Sequence, residues 1–443
     1  MSRTSFRYVD LFAGIGGFHA SLAALGGKCV FVSEIDPDAR AVYARNWQSP
    51  PLQGDITLLA NDEVMAVPDH EVLVAGFPCQ PFSKSGKQMG MEETRGTLFW
   101  NILKIIEKKS PGVVILENVR NLAGPRHQHE WQVIIKSLRD EGYLVSEEPW
   151  IVSPHRIPPH MGGRPQSRER IFIFAVKSHN SKSRKLKVDS PPRRIGNWNP
   201  KDWNLEVDLP LERLSKKSSS SLTKEQMHWL DAWNDFVIRY RKSTGTQLPG
   251  FPLWGDEWGR KRLYVPRSTP PWKKNFIRKN HYFYQENSKL IDEWAKTWNF
   301  YSEEFPPSRR KFEWQAGELT SMESTIVHLR PSGVRVKKAT YAPALVAISQ
   351  TPIVYRHKRS MSVAEASRLQ GLPSWFSFGG QTKALSFKQL GNGVSVGAVW
   401  YVLKFGVNVY SDAVQRAAPA FWKCVRSAPE SPDEILENSR RRL

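Results

Sequence analysis

The stretch YVDLFAGIGG, residues 8–17, decides the fold of this 443-residue chain. It begins as a short apolar run typical of a buried strand and ends in glycines. The following residues, GGFHASLAALG (16–26), have helical spacing and end at a Gly pair. Because glycine has no Cβ, such a turn brings bare backbone close to a ligand. The stretch therefore predicts a strand–turn–helix unit with a ligand at the turn.

Strand and helix patterns continue to alternate as far as residue 176. Four more β-rich runs are separated by helix-compatible stretches such as TLFWNILKIIEKK (97–109). Alternation of this kind predicts an α/β domain with a doubly wound parallel sheet and ligands at the carboxyl ends of the strands. The four runs are CVFVSEID (29–36), EVLVAGFP (71–78), GVVILENV (112–119) and ERIFIFAV (169–176).

The middle of the chain is polar and basic. The net charge is +21, and residues 177–360 alone hold 35 Lys and Arg against 18 Asp and Glu. A concentrated positive field suits a polyanion such as nucleic acid, although a solvated basic surface is the alternative. Ten of the 17 tryptophans lie between Trp198 and Trp314, and we expect most of them to form the core of a small second domain.

Composition excludes several classes of protein. The three cysteines, Cys29, Cys79 and Cys424, give neither a disulfide framework nor a zinc-ligand spacing, so we expect a reduced protein without a metal. No apolar run is long enough to cross a membrane, and no signal segment precedes the first strand. These features predict a cytoplasmic protein, and we expect a monomer.

Two acidic residues suggest what the glycine turn binds. Glu34 ends the second strand, where a carboxylate can accept hydrogen bonds from both hydroxyls of a ribose. Asp55, in QGDI, ends a candidate third strand and could accept an adenine amine. The three features together favour an adenosine-containing cofactor over a tight packing turn. The loop lacks the GxxxxGK[ST] lysine needed for triphosphates, which argues against ATP.

Two further segments carry candidate chemistry. GFPCQPFS (76–83) places Cys79 between two prolines at the end of a strand, where a thiolate could attack an electron-poor ring carbon; a structural cysteine is the alternative. In RPQSRERIFIFA (164–175), Gln166, Arg168 and Arg170 alternate and are expected on one face, facing a carboxylate, base edge or phosphate. Glu117, in ILENV, is a buried acid that is costly unless it is paired or employed.

In this order, the motifs resemble the series of the DNA cytosine-5 methyltransferases, over residues 8–176 and 361–402. The chain lacks the [DNS]PP[YFW] signature of methyltransferases that act on exocyclic amines. The resembling motifs are DLFAGIGG with Glu34, GFPCQPFS, RGTLF (95–99), ILENV, PQSRERIFIFA, EASRLQGLP and KQLGNGVSVG.

The resemblance implies a reaction on a cytosine flipped out of duplex DNA. The Cys79 thiolate would add to carbon 6, so that carbon 5 takes a methyl group from S-adenosyl-L-methionine (SAM). Glu117 would hold ring nitrogen 3 and the exocyclic amine. Arg170 would contact the base carbonyl and orient Glu117, and Arg168 would lie nearer the target phosphate.

The resemblance also implies cofactor and substrate contacts. The residues expected to bind SAM are Phe12, Ala13, Gly14, Ile15, Gly16, Gly17, Glu34, Ile35, Asp55, Ile56, Pro78, Leu98, Asn392 and Val394. The residues expected to contact DNA are Gln80, Ser83, Gln166, Arg330 and Arg335, the last two in RPSGVRVKKATYAP (330–343).

The resemblance predicts a Rossmann-like, doubly wound α/β catalytic domain (1–176), a smaller target-recognition domain (177–385), and a C-terminal segment (386–443) that returns to the first domain. Two features depart from the family pattern. SPHRIPPHMGGRPQSR is a longer lead to Gln166 than usual, and the variable region, 177–360, is long. In bacteria, such enzymes usually modify the site that a separate restriction endonuclease cuts.

Two alternatives remain open. An RNA-modifying relative would use the same catalytic motifs on tRNA, but the long basic insert and the absence of a Cys-Phe-Thr element count against it. A DNA-binding regulator on a disabled scaffold is disfavoured because Cys79, Glu117, Arg168 and Arg170 are all present.

Overall fold

A computed structural model describes residues 5–78, 97–178, 190–192, 194–209, 220–260, 262–345 and 351–439. The chain divides into two compact units. Unit 1 comprises Met1–Trp203, Ala344–Ile348 and Ala366–Leu443, and unit 2 comprises Asn204–Pro343 and Ser349–Glu365.

These bounds differ from the expected ones, 176 and 385, at both ends of the middle region. Trp203 is 3% exposed and donates its indole N–H to the His155 carbonyl at 2.7 Å, which keeps the chain on unit 1 beyond residue 176. Toward the C-terminus, Gln370 donates its side-chain amide to the Leu390 carbonyl at 2.7 Å. At each boundary of the middle region, a side chain of unit 1 therefore pairs with a backbone carbonyl that is distant in sequence.

Unit 1 contains a seven-stranded sheet in the order β2-β1-β3-β4-β8-β5, with β6 also paired to β8. Up to residue 178, the described residues form the seven strands of this sheet, one short strand outside it (β7) and four helices. The strands are β1 (Arg7–Leu11), β2 (Lys28–Ser33), β3 (Val72–Gly76), β4 (Val113–Val119), β5 (Tyr143–Val145), β6 (Trp150–Val152), β7 (Gln166–Ser167) and β8 (Arg170–Lys177), and the helices are α1 (Gly17–Ala24), α2 (Pro37–Asn46), α3 (Leu98–Lys109) and α4 (Gln128–Asp140).

The predicted doubly wound parallel arrangement forms one part of the sheet, and antiparallel strands extend it at one edge. Strands β2, β1, β3 and β4 run parallel, whereas β8 is antiparallel to β4, β5 and β6. Parallel neighbours need a crossover of a dozen or more residues. The short connection from β5 to β6 contains no helix, and both strands pair with β8.

Helices cover both faces of this sheet, as the doubly wound pattern predicts. On one face, Val9 and Leu11 of β1 join a core that includes Ile102 of α3 and Ile134 of α4. On the other face, the later helices of unit 1 pack against the sheet, and Phe174 of β8 stacks on Tyr410.

The described residues of unit 2 form three helices and a second, six-stranded sheet in the order β15-β14-β11-β12-β10-β9. Its core contains the expected tryptophans: Trp233 and Trp294 are fully buried, and Trp233 stacks on Phe312 at 4.4 Å. Its elements are α5 (Leu205–Asp208), α6 (Lys224–Thr244), β9 (Leu253–Trp254), α7 (Pro271–Thr297), β10 (Lys311–Gln315), β11 (Thr325–Arg330), β12 (Gly333–Lys338), β13 (Ala342–Pro343), β14 (Ile353–Val354) and β15 (Arg359–Ser360).

The C-terminal part of the chain is helical. The segment SVGAVWYVLKFGVNVY forms α10 and belongs to unit 1, in agreement with the expected return of the C-terminal segment to the first domain. Its start is fixed by the Ser21 hydroxyl of α1, which donates to the Val396 carbonyl at 3.2 Å. The helices are α8 (Val363–Leu369), α9 (Lys383–Asn392), α10 (Val396–Val409), α11 (Ser411–Ala417), α12 (Pro419–Ser427) and α13 (Asp433–Asn438).

Within the described ranges, none of these helices has the length and apolar character required to cross a membrane.

Candidate active site

The carboxyl ends of four parallel strands of unit 1 meet at one cavity of about 420 Å³. Register places Leu11 beside Ser33 and Ala75, and Gly76 beside Glu117, so the residues that follow these strands converge. Eleven of the predicted site residues line the cavity: Phe12, Gly14, Glu34, Ile35, Asp55, Ile56, Pro78, Leu98, Glu117, Arg170 and Asn392.

The loop after β1 is held open toward the cavity. Phe12 has φ 55°, a conformation that non-glycine residues adopt mainly where the surroundings enforce it. Gly14 also has φ 55°, and a Cβ built on it would meet nothing within 4 Å. The Gly14 N–H donates to Glu34 Oε2 at 2.8 Å. At this position glycine does leave backbone accessible to a ligand.

Gly16 and Gly17 are required for close packing and not for the predicted ligand contact. A Cβ on Gly16 would lie 2.1 Å from Nε1 of Trp47, and one on Gly17 would lie 2.5 Å from the Val394 carbonyl oxygen. Trp47 donates its indole N–H to the Ile15 carbonyl at 2.8 Å. Close packing therefore requires both glycines, and the following predicted contacts do not line the cavity: Ala13, Ile15, Gly16, Gly17 and Val394.

The two predicted nucleoside-binding acids both face the cavity. Glu34 follows β2, and its Oε1 accepts the Asp36 N–H at 2.8 Å, so the backbone fixes its orientation. Asp55 was expected to end a strand, but it caps a 3-10 turn instead: its Oδ1 accepts the Thr57 N–H at 2.9 Å. Among the described residues, Asp55 Oδ2 has no partner and is available to a ligand.

Glu117 and Arg170 form an ion pair in the same cavity. Nε of Arg170 lies 3.0 Å from Oε1 of Glu117, and Glu117 is 8% exposed. Burial raises the pKa of Glu117, and the attraction of Arg170 and Arg168 offsets this only in part. Burial likewise lowers the pKa of Arg170 against the attraction of Glu117. Both pKa shifts indicate that the cost of desolvation outweighs the attraction between the two side chains. The Glu117 carboxyl therefore accepts a proton more readily than an exposed glutamate does.

Arg168 lies away from any surface, which corrects its predicted phosphate contact. It is 1% exposed, and its guanidinium donates to the carbonyls of Leu345, Gly391 and Gly393 at 2.7–2.9 Å. Burial lowers its pKa to about 9, so it stays charged at neutral pH. Arg168 therefore fixes the backbone on both sides of Asn392, a residue that lines the cavity.

The predicted DNA contact of Gln166 is also corrected by the structure. It is 0% exposed, and its side-chain amide has no hydrogen-bond partner within the described ranges. A side chain enclosed in this way cannot contact DNA in this conformation. The alternation of three polar residues predicted one shared face, but only Arg170 reaches the cavity.

Other predicted residues lie elsewhere. Arg330 and Arg335 belong to unit 2, on the hairpin of β11 and β12, where Nε of Arg335 pairs with Glu313 Oε2 at 2.6 Å. Cys79, Gln80 and Ser83 lie outside the described residues.

Two positioning residues were missed by the sequence reasoning. Asn118, 3% exposed, donates its side-chain amide to the Phe77 carbonyl at 2.8 Å and thereby fixes the chain two residues before Cys79. Its place in ILENV was a usable signal. Trp47, which holds the Ile15 carbonyl, gave no such signal, because a tryptophan at the end of a helix reads as core.

Comparison with known proteins agrees with this geometry. The model of the family described as C-5 cytosine-specific DNA methylase matches residues 6–405. The chain is 43% identical to the Type II methyltransferase M.AluI of Cellulosimicrobium cellulans over 98% of this chain and 99% of that protein. It is 27% identical to the Type II methylase M.HgiEI of Herpetosiphon aurantiacus over 88% and 94%.

Among solved structures, that of a Spodoptera frugiperda DNMT2 variant gives a TM-score of 0.49 at 16% identity, over 90% of this chain and 99% of that one. The match to the family model and the full-length likeness to M.AluI show the family: the chain belongs to the C-5 cytosine-specific DNA methylases.

Proposed function

We propose that this DNA cytosine-5 methyltransferase transfers a methyl group from SAM to carbon 5 of a cytosine that is flipped out of a specific duplex sequence, through a covalent adduct with Cys79. The observation that carries the proposal is the buried Glu117–Arg170 pair, which lies in the same cavity as the Gly14–Glu34 loop. One cavity thus holds both the loop that we expect to bind the nucleoside and a buried acid.

The cavity fits the adenosine part of SAM. Its volume, about 420 Å³, lies within the usual range for small-molecule sites. Glu34 keeps lone pairs free for ribose hydroxyls after accepting two backbone N–H groups, and Asp55 Oδ2 is free to accept an amine. Ile35 is 67% exposed at the cavity and offers an apolar surface to a flat ring. Bound SAM would supply an electrophilic methyl group.

Glu117 would bind the target base. In its protonated form, the carboxyl donates a hydrogen bond to ring nitrogen 3 of cytosine and accepts one from the exocyclic amine. Its raised pKa favours that form and permits proton transfer as negative charge develops on the ring. Arg170 would hold the glutamate and contact the base carbonyl.

Cys79 would be the nucleophile. Its thiolate adds to carbon 6, and the electron pair displaced toward carbon 5 forms the bond to the incoming methyl group. The carbon 5 proton then leaves, with water as the base we expect, and the carbon–sulfur bond breaks to restore the thiolate and the aromatic ring. These atoms are inaccessible inside a stacked duplex, so the base must be flipped out.

Recognition would rest on unit 2. Around Arg330 and Arg335 the positive charges are crowded: burial, followed by repulsion from Arg335 and Arg330, lowers the pKa of Lys337. A DNA phosphate or base acceptor would relieve that repulsion. We expect a monomer that acts in the cytoplasm, as the modification enzyme beside a separate restriction endonuclease.

A transfer assay tests this function. Labelled SAM is incubated with unmethylated genomic DNA or with tRNA, and the nucleosides are then analysed. We expect label in 5-methylcytosine of DNA only, and bisulfite sequencing then locates the target sequence. Label confined to tRNA, or in no nucleic acid at all, would refute the proposal.

A further inference from the structure

Unit 2 carries an uninterrupted basic stretch before and along the first half of α7. From Trp258 to Gln285 the chain has eight Lys and Arg and no Asp or Glu. Arg260 is exposed but pairs with Glu257, and five further side chains are exposed: Arg262, Arg267, Lys273, Arg278 and Lys279. Together with Trp272 and Tyr282 they are called the basic helix surface below.

Spacing gathers part of this surface on one face of the helix. Trp272, Asn275, Lys279 and Tyr282 follow at intervals of three or four residues, and Arg278 flanks them. Trp272 is 62% exposed and Tyr282 is 56% exposed. From Trp272 to Tyr282 the helix rises about 15 Å, a length that matches roughly four phosphates of one DNA strand at about 3.4 Å per phosphate.

The positive charges of this surface are not neutralised within the protein. In the part of the chain that the structure describes, no acid forms an ion pair with Arg262, Arg267, Lys273, Arg278 or Lys279. By contrast, Arg260, just before the surface, pairs with Glu257 at 3.1 Å. An unpaired row of exposed cations with aromatic side chains among them suits a sugar–phosphate backbone.

The opposite face of α7 anchors the surface. Ile277 and Phe283 are buried in the unit, and Asn280 accepts the Trp254 N–H at 2.6 Å while donating to the Pro252 carbonyl at 2.9 Å. The helix is therefore held rigidly, with its charges already in place. Because its apolar face is occupied, it has no apolar stripe to insert into a lipid surface, which argues against a membrane as the partner.

We infer that the basic helix surface binds the backbone of duplex DNA flanking the recognition sequence, without reading bases. The inference rests on the proposed action on duplex DNA and adds a second DNA contact, separate in sequence from residues 330–343. It would give the enzyme sequence-independent affinity and a preference for long substrates.

The test compares two triple variants of the full chain that remove equal charge. Lys273→Gln, Arg278→Gln and Lys279→Gln lie on the surface, whereas Lys224→Gln, Lys242→Gln and Lys296→Gln are exposed elsewhere in unit 2. Glutamine keeps helix propensity close to that of lysine and arginine. Binding of random-sequence duplexes of about 12 and about 40 base pairs is measured by fluorescence anisotropy between about 50 and 200 mM salt.

We expect the surface variant to lower the slope of log affinity against log salt by about 2.7 and to weaken binding of the long duplex by on the order of 30-fold or more. The control variant should change the slope by less than about 1. Equal effects of both variants would overturn the inference. It would also be overturned if the surface variant lost binding to tRNA or to phosphatidylserine vesicles while its binding of duplex DNA stayed unchanged.

Two further measurements separate the remaining outcomes. If the surface variant does not fold, as judged by circular dichroism, the single variants Arg278→Gln and Lys279→Gln should each lower the slope by about 0.9, and unchanged slopes overturn the inference. Methyl transfer to genomic DNA is measured with the same preparations. Absence of transfer even for the wild type counts against the proposed function, whereas transfer with an unchanged slope counts against this surface alone.

Discussion

Nε of Arg170 lies 3.0 Å from Oε1 of Glu117, and adjacent antiparallel strands carry the two residues. The other carboxylate oxygen, Oε2, faces Gly76, where a Cβ would lie 3.5 Å away. Gly76 ends β3 three residues before Cys79. The arginine thus fixes one oxygen, and the other points toward the end of the strand that leads to the proposed nucleophile.

Glu117→Gln should lower methyl transfer by about 10²–10⁴-fold, because glutamine cannot transfer a proton to the ring. SAM binding should be unchanged, since the cofactor contacts lie on the Gly14–Glu34 side. Single-turnover transfer and calorimetric SAM titration measure the two effects. Glu107→Gln, which removes a half-buried carboxylate that pairs with Lys104 and does not line the cavity, serves as the control. Near-normal transfer by Glu117→Gln would refute the assigned role.

The two glycines of the loop should respond differently to alanine. Gly16→Ala forces Trp47 to move and should destabilise the fold by about 1–3 kcal/mol from overpacking alone, with added strain at φ 93°. Gly14→Ala meets no atom of the protein, so it should cost about 1 kcal/mol and weaken SAM binding instead. Chemical unfolding and SAM titration of both variants measure this contrast, and the reverse ranking would contradict the structure.

Arg168→Lys should act through the cofactor site. A lysine cannot reproduce the fork that donates to three carbonyls, so we expect about 2–4 kcal/mol lower stability and weaker SAM binding through Asn392. The salt dependence of DNA binding should stay at the wild-type value. If Arg168→Lys instead lowered the slope of log DNA affinity against log salt while SAM affinity stayed intact, the result would support the phosphate contact that the sequence suggested.

Local sequence patterns predicted the site residues that lie at the ends of strands. Gly14, Glu34 and Glu117 each follow from an apolar run that stops at a polar residue or glycine, and parallel strands bring such ends together. Period-two alternation was less informative. It placed Gln166 with Arg170, whereas the structure encloses Gln166 completely.

Partners distant in sequence were beyond prediction. The carbonyls that accept from Arg168 belong to residues that follow it by between 177 and 225 positions in the sequence. No spacing rule links such distant residues. The same is true of Gly16, whose need for glycine comes from Trp47. A glycine motif indicates a tight approach without revealing whether a ligand or a side chain makes it.

Buried histidines predict sensitivity to mild acid. In the unfolded chain each takes up a proton near pH 6.5, whereas the folded protein resists protonation until much lower pH. The unfolded state therefore binds more protons as pH falls, and stability falls with pH. Burial lowers the pKa of four side chains: to about 3 for His19 and His328, and to about 4 for His70 and His155.

Two buried acids reduce this effect. Burial raises the pKa of Asp10 and of Glu117, so these carboxyls take up protons more readily in the folded state than in the unfolded state. Because four histidines lose stabilisation on acidification and only two acids oppose them, the free energy of unfolding should fall as the pH drops below about 6.5. Urea unfolding from pH 7 to pH 5 should show this fall, with a shallower one for His70→Gln. A flat profile would contradict it.

Trapping with 5-fluorocytosine tests the central claim most directly, once the target sequence is known. Fluorine cannot leave as a proton does, so a duplex with this base at the target, incubated with SAM, should remain joined to the enzyme after denaturation. We predict one adduct, on the peptide that contains Cys79, and none with Cys79→Ala. Methylation of ordinary DNA without any such adduct, or an adduct on another residue, would contradict the account.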